Sequence, residues 1–172
     1  MEEFDILYNE EAIQKRVKEL ARQIYDVYQD EEVVFVCTLK GAVFFCVDLM
    51  KSYPGDAKIE FIKIHSYDGE NTSGEVDLDL PVTVENIENK NILIVEDIID
   101  TGLSLEYLYK YLDDMNPKKI EICVLLDKYE KRVVPIKVDY IGFTIEDLFV
   151  IGYGLDYNQK YRNLPCIKVL KK

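Results

Sequence analysis

The chain has 172 residues and a formal net charge of −12, because 33 Asp and Glu residues outnumber 21 Lys and Arg residues. Its length fits one domain, and an apolar share of 48% is typical of a globular protein rather than a disordered one. The acidity argues against binding to nucleic acid or to an anionic membrane, since both partners require a basic face.

The cysteines and the N-terminus indicate a cytoplasmic protein without zinc. One histidine and no Cys-x-x-Cys pair make a zinc site a poor interpretation. We expect four buried, reduced cysteines, which are Cys37, Cys46, Cys123 and Cys166. The acidic start of the chain lacks the apolar core of a signal peptide, and no apolar run approaches the roughly 18 residues of a membrane helix.

The first third of the chain predicts a helix, then buried strands. Asn9 is suited to cap a helix over residues 10–28, where apolar residues recur at helical spacing. The continuous apolar run 33–37 is typical of a strand covered on both faces, as in a parallel sheet. Residues 41–50 predict a buried helix, and alternation over 59–64 predicts another strand.

Residues 66–89 differ in composition, with seven acids and no Lys or Arg. We expect a long, mobile excursion here, with a hairpin as one possibility inside it. A loop of this length in a compact domain is usually functional or disordered, although the charge run alone is more typical of a solvated face.

The second half predicts strands and a helix in alternation. Strands are expected over 91–95 and 120–126, separated by a helix over 103–114 that ends before Pro117. Further short strands are expected at 138–143, 149–151 and 167–170. The alternation predicts one α/β domain over residues 1–172, built around a mainly parallel sheet.

The stretch 94–105 carries the most informative chemistry. An apolar strand runs into a row of polar residues, which are Glu96, Asp97, Asp100, Thr101, Gly102 and Ser104. Hydroxyls and backbone N–H groups at a helix N-terminus hold phosphate, and ligands bind beyond the carboxyl ends of strands in open α/β sheets. The neighbouring acids would repel phosphate but accept hydrogen bonds from sugar hydroxyls, so the stretch fits a phosphorylated sugar. The alternative is a helix cap at Asp100 and Thr101 beside a solvated strand end.

This stretch resembles the phosphoribosyl-pyrophosphate (PRPP) motif of type I phosphoribosyltransferases, and the resemblance is closest to the hypoxanthine (hypoxanthine-guanine) enzymes. Four further motifs occur in that family's order: Leu39-Lys40-Gly41, His65-Ser66-Tyr67, Leu125-Leu126-Asp127-Lys128, and 149–158 with Tyr161-Arg162. In this family the peptide bond before the lysine of the first of these motifs is often cis.

The resemblance implies a fold and a reaction. The fold is a mainly parallel core sheet flanked by helices, with a small hood from both chain ends and a flexible lid over about 66–89. The reaction moves the phosphoribosyl group of PRPP to hypoxanthine, and to guanine as well, giving IMP or GMP and pyrophosphate. Mg²⁺ on the pyrophosphate and assembly as a homodimer or homotetramer are also implied.

The resemblance also implies roles for particular residues. Asp100 is the general base, and Ser66 and Tyr67 close over the reaction centre. The expected PRPP and phosphate contacts are Leu39, Lys40, Gly41, Glu96, Asp97, Thr101, Gly102, Leu103, Ser104 and Arg162. The expected purine contacts are Ile98, Lys128, Phe149, Val150 and Asp156, and the expected metal ligands are Glu96, Asp97 and Asp156. Leu103 replaces the polar or basic residue common at its position, so its backbone N–H is the expected donor.

Two alternatives stay open at this point. The first is a non-catalytic regulator that keeps the fold to sense PRPP or nucleotide, although such a protein should carry an additional nucleic-acid surface. The second is a phosphoribosyltransferase that prefers xanthine.

Overall fold

The computed structural model describes residues 4–65 and 77–171. Its strands are β1 (Phe4–Tyr8), β2 (Val33–Thr38), β3 (Ala57–His65), β4 (Asp77–Leu80), β5 (Asn91–Ile99), β6 (Lys119–Asp127), β7 (Tyr140–Thr144), β8 (Val150–Ile151) and β9 (Ile167–Leu170). Its helices are α1 (Glu10–Tyr28), α2 (Val43–Ser52) and α3 (Leu103–Asp113), and two short 3₁₀ turns occupy Val84–Asn86 and Tyr129–Lys131. Within these ranges, no helix is long and apolar enough to cross a membrane.

The main sheet has six strands in the order β4-β3-β2-β5-β6-β7. All neighbours pair in parallel except β4, which pairs antiparallel with β3. This confirms the α/β class. Because the strands run in parallel, the carboxyl ends of β2, β5 and β6 meet at one edge of the sheet, where ligands bind in open α/β folds.

Helices cover both faces of this sheet, as the continuous apolar strands predict. All six residues of β2 are buried, and they alternate between two cores. Phe35 packs in the core that contains α1 and α2, whereas Val34 packs in the core that contains α3. Helix α1 begins where the sequence predicts, because the Asn9 side chain accepts a hydrogen bond from the Ala12 backbone N–H at 2.8 Å.

A second, antiparallel sheet joins the two ends of the chain in the order β1-β9-β8. It corresponds to the hood that the resemblance implies. Strand β1 was missed by the sequence pattern, since only partner strands far away in sequence give this short, half-exposed segment its backbone hydrogen bonds.

The predicted excursion over 66–89 is partly wrong. Its described part forms β4 and a 3₁₀ turn, and Ile87 is fully buried while Val82 is nearly so. These apolar side chains anchor residues 81–89 in the core beside α3, so a lid can extend no further than about residue 80. A hairpin within this segment is not seen in its described part, because β4 pairs antiparallel with β3, which precedes the segment.

Two smaller predictions also need correction. Strand β5 continues to Ile99 instead of ending at Val95, because its backbone stays paired with β6 through the polar residues that follow the apolar run. Cys166 is half-buried, whereas the other three cysteines are buried as expected, and all four are free thiols.

Candidate active site

Three loops and the C-terminal segment converge at the carboxyl edge of the main sheet. Residues 39–42 follow β2, residues 100–102 follow β5, and Lys128 follows β6. Ser66 and Tyr67 lie outside the described residues. The other predicted site residues are described, and they form three neighbouring groups.

The first group is a phosphate-sized cavity at the start of α3. A cavity of about 120 Å³ is lined by Glu96, Ile98, Ile99, Asp100, Thr101, Gly102, Ser104 and Leu105. Gly102 is the residue before α3 and adopts a left-handed conformation with φ 85°, which glycine adopts without steric cost. The opening N–H groups of an 11-residue helix therefore meet hydroxyl-bearing side chains at this cavity. Leu103 is exposed, so its backbone is the part suited to a ligand.

Asp100 does not cap this helix. The residue before α3 is Gly102, which has no side chain to cap the helix, and the Leu103 N–H donates instead to Thr101 Oγ1 at a long 3.5 Å. The Asp100 Oδ1 atom is buried and accepts no hydrogen bond from any residue in the described ranges, while Oδ2 lies 3.6 Å from Lys128 Nζ. A buried carboxylate oxygen without a donor is costly, so its place at the cavity wall makes it a candidate acceptor for a hydrogen bond from a ligand.

The second group surrounds Lys128, whose side chain is only 11% exposed. Its Nζ lies 3.3 Å from Asp147 Oδ1, in addition to the Asp100 contact. Lys131 bridges the same two acids, at 3.0 Å from Asp147 and 3.9 Å from Asp100. The hydrogen bond from Lys131 lowers the pKa of Asp147, so this carboxyl is ionised at neutral pH. The sequence analysis missed Lys131 and Asp147, although each lies within three residues of a recognised motif position.

Glu96 and Asp97 form a crowded pair of carboxyls at the end of β5. Glu96 Oε1 accepts hydrogen bonds from Thr38 Oγ1 at 2.7 Å and from the Asp97 backbone N–H at 3.1 Å. Asp97 Oδ1 accepts one from the Ile98 N–H at 2.9 Å. Burial and the neighbouring Asp97 charge raise the pKa of Glu96 well above its usual value. A cation or a sugar hydroxyl at this pair would relieve the repulsion.

Gly41 lets the loop after β2 approach these carboxyls closely. A Cβ atom at Gly41 would overlap the Asp97 carboxylate, since it would lie only 2.5 Å from Cγ. A Cβ at Gly154 would in turn overlap the Gly41 carbonyl. The Leu39–Lys40 peptide bond in this loop is cis, as in the family that the sequence resembles. Two glycines thus bring the loop, the end of β5 and the C-terminal segment into contact.

The third group is cationic and belongs to the C-terminal segment. Arg162 donates to the Gly154 carbonyl at 2.7 Å and pairs with Asp156 Oδ1 at 2.7 Å. Gln159 accepts a hydrogen bond from Lys40 Nζ at 3.4 Å, while its backbone N–H donates to Asp156 Oδ2 at 2.8 Å. The predicted contacts Lys40, Asp156 and Arg162 are therefore brought together, and Gln159 joins them without a signal in the sequence.

Phe149 and Val150 lie next to each other at the start of β8 but differ in exposure. Phe149 is 47% exposed and meets Tyr157 edge-on, with ring centroids 5.5 Å apart. Its exposure rules out the simpler interpretation that this aromatic side chain fills the core. Val150 is buried, so its backbone is the part that remains for a ligand.

The acids of the site include a pair suited to Mg²⁺. Within the described ranges, no group of three or more His, Cys, Asp or Glu side chains is placed to hold a metal by itself. Glu96 and Asp97 nevertheless fit a Mg²⁺ ion that takes its remaining ligands from substrate and water, which is its usual arrangement. Asp156 fits less well, because both of its oxygens already have protein partners.

Comparison with known proteins agrees with this geometry. A family model described as phosphoribosyl transferase domain matches residues 3–158. A hypoxanthine-guanine phosphoribosyltransferase of Bacillus subtilis is 46% identical over 170 residues, which cover 96% of this chain and 92% of that protein. A hypoxanthine-guanine-xanthine phosphoribosyltransferase of Tritrichomonas foetus is 40% identical over 168 residues, covering 97% and 91%.

Solved structures agree as well. The crystal structure of a hypoxanthine-guanine phosphoribosyltransferase from Bacillus anthracis, with a HEPES molecule in its active site, superposes with a TM-score of 0.91 at 42% identity. The match covers 99% of this chain and 100% of that one. The chain therefore belongs to the phosphoribosyltransferase family, in its hypoxanthine-guanine group.

Proposed function

We propose that this protein is a purine salvage enzyme that transfers the phosphoribosyl group of PRPP to hypoxanthine and guanine, forming IMP or GMP and pyrophosphate. The observation that carries the proposal is that a hydrogen-bond acceptor, Asp100, and a hydrogen-bond donor, Lys128, lie side by side in the site. One oxygen of Asp100 has no hydrogen-bond partner among the described residues, and the other oxygen of the same carboxylate lies 3.6 Å from the Lys128 ammonium.

This pair complements one edge of a 6-oxopurine. The edge presents N7–H as a donor next to O6 as an acceptor, which match Asp100 and Lys128 in turn. Asp100 then holds or removes the N7 proton while the new bond forms at the ring nitrogen N9. Adenine would place an amino group, itself a donor, against the Lys128 ammonium. A buried donor facing another donor discriminates strongly, so the site should reject adenine.

PRPP would be bound partly by backbone N–H groups and partly by cationic side chains. The 5′-phosphate fits the cavity at the start of α3, where Thr101, Gly102, Leu103 and Ser104 offer N–H groups and hydroxyls. Pyrophosphate fits the space between Lys40 of the cis-peptide loop and Arg162, whose planar fork suits phosphate oxygens. Asp156 holds Arg162 in the absence of ligand and releases it when pyrophosphate binds.

Mg²⁺ is the proposed cofactor, held by Glu96 and Asp97 together with the ribose hydroxyls and pyrophosphate. When bound, it neutralises charge on the leaving pyrophosphate. The closeness of the two carboxyls supports this placement, because a cation there would offset their mutual repulsion. Phe149 would stack on the purine, Ile98 would pack against it, and Val150 would contact its edge through the backbone. Ser66 and Tyr67 would shut out water.

Guanine and xanthine differ from hypoxanthine only at the 2-position, for which the described side chains offer no specific partner. The Tritrichomonas foetus relative is named for xanthine as well, so xanthine is kept as a candidate substrate.

A cytoplasmic location and a homodimer or homotetramer remain predictions. Two exposed apolar residues one turn apart on α2, Phe44 and Val47, support self-association, which light scattering would measure.

Product analysis tests the proposed function directly. Purified protein with PRPP, Mg²⁺ and hypoxanthine should form IMP and pyrophosphate in equal amounts, as separated by ion-exchange chromatography. PRPP that stays intact, while the protein still binds PRPP or IMP in calorimetry, would support the non-catalytic sensor instead.

A further inference from the structure

We infer that Asp147 is a positioning residue for Lys128: it holds the ammonium group away from Asp100 and toward the purine. The inference rests on the proposed function, since it concerns how the oxopurine is selected. Neither Asp147 nor its partner Lys131 belongs to the motifs by which the sequence resembles the family.

The geometry creates a competition for Lys128. Its Nζ lies between two carboxylates, at 3.3 Å from Asp147 and 3.6 Å from Asp100. Both carboxylates therefore lie within ion-pair distance of the ammonium group and attract it. Without Asp147, the carboxylate left within reach in the described ranges is Asp100, and a direct Asp100–Lys128 pair would occupy both groups that the purine edge needs.

Lys131 fixes Asp147 in the competing position. It lies 3.0 Å from Asp147 Oδ2, and its backbone N–H donates to the Lys128 carbonyl at 3.0 Å. The two lysines are therefore carried on one short turn and share the same two carboxylates, with Lys131 closer to Asp147 than to Asp100. Asp147 and Lys131 are 51% and 42% exposed, so their pair contributes little to folding stability. This exposed pair adds little stability but contacts a nearly buried lysine that is proposed to bind substrate. Its presence is best explained by a role in orienting that lysine.

Base selection follows from this orientation. With Asp147 present, Lys128 stays extended between the two acids and donates to O6 as the purine arrives. With Asp147 neutralised, the purine must first separate Lys128 from Asp100, which weakens binding of oxopurines. PRPP binding is unaffected, because the cavity and the cationic group at the C-terminal segment contain neither residue.

The test is steady-state kinetics of Asp147→Asn against Glu146→Gln, a matched control that removes one negative charge from the exposed neighbouring position. Asp147→Asn should raise KM for hypoxanthine by about threefold to fivefold and lower the preference for hypoxanthine over adenine by a similar factor, while KM for PRPP changes less than twofold. These factors correspond to the loss of one partly exposed charge pair. Glu146→Gln should match the wild type, and Asp147→Glu should restore most of the loss.

Several outcomes separate the possible failures. Wild-type protein that forms no IMP would overturn the proposed function itself. An active wild type with Asp147→Asn indistinguishable from Glu146→Gln, or with hypoxanthine and PRPP affected equally, would overturn the role of Asp147 alone. If thermal unfolding shows that Asp147→Asn is not folded, Lys131→Met replaces it. That variant should raise KM for hypoxanthine at least twofold, and an unchanged KM would refute the inference.

Discussion

Replacing Gly41 with alanine tests how closely the pyrophosphate loop must approach the acids of β5. The new Cβ would lie 2.5 Å from Asp97 Cγ and closer still to Oδ2, whereas ordinary contacts begin at 3.4 Å, so one side must retreat by more than about 1 Å. The obstacle at Gly41 is this overlap rather than backbone strain, since its φ is not positive. Helix α2 begins two residues later, which limits how far the loop can move.

The cost can be worked out from the contact that is lost. If the Asp97 carboxylate turns away, it gives up the hydrogen bond from the Ile98 N–H at 2.9 Å. Hydrogen bonds to charged groups contribute about 1.5–3 kcal/mol, which corresponds to roughly 10-fold to 150-fold in an equilibrium constant. If the loop retreats instead, it loses its contact with Gly154. Pyrophosphate binding then weakens because the C-terminal segment, on the other side of the site, is no longer held against the loop.

We therefore expect Gly41→Ala to lower kcat/KM for PRPP by about 10-fold to 100-fold, with KM for hypoxanthine changed far less. The assay is IMP formation at varied PRPP, accompanied by thermal unfolding to show that the fold is kept. Lys51→Ala is the control, because this exposed side chain lies at the opposite end of α2 from Gly41. A Gly41→Ala enzyme within twofold of the wild type would refute this account of the loop.

Three further predictions concern the purine and the metal. Asp100→Asn should lower kcat by at least 100-fold while PRPP binding in calorimetry changes much less, because an amide cannot take the N7 proton; equal turnover would refute the general-base role. Lys128→Ala should erode the preference for hypoxanthine over adenine in competition assays, since it removes the donor to O6; unchanged selectivity would contradict that role. Chelation of Mg²⁺ with EDTA should weaken PRPP binding at least 10-fold, because the site has more carboxylates than free cations; equally tight binding in chelator would count against a metal at Glu96 and Asp97.

Local patterns predicted the regular elements well. The Asn9 cap, the span of α1 and the continuous apolar strand β2 follow from short-range rules of capping, periodicity and burial. Strand β1 could not be predicted in this way, because its backbone partners lie more than 150 residues away in β9. The order in 77–89 was missed for a related reason, since Val82 and Ile87 are anchored by distant parts of the core.

The site residues show the same difference between local sequence patterns and long-range contacts. The stretch from Glu96 to Ser104 was predicted because strand, acids and helix start are contiguous in sequence, and the structure keeps them contiguous in space. Asp147 and Gln159 could not be predicted, because their importance comes from side-chain contacts with Lys128 and Lys40 across the fold. The same is true of Gly154, which needs to be glycine because its φ is 99° and because a Cβ there would overlap the Gly41 carbonyl.

The central claim is that Asp100 and Lys128 together select a 6-oxopurine for phosphoribosyl transfer. The most direct test is the ratio of kcat/KM for hypoxanthine to that for adenine, measured on the wild-type protein with saturating PRPP and Mg²⁺. The donor and acceptor at this edge predict a ratio on the order of 10⁴ or higher, as for other sites built to pair one polar group. A ratio near one, or turnover with neither base, would contradict the account.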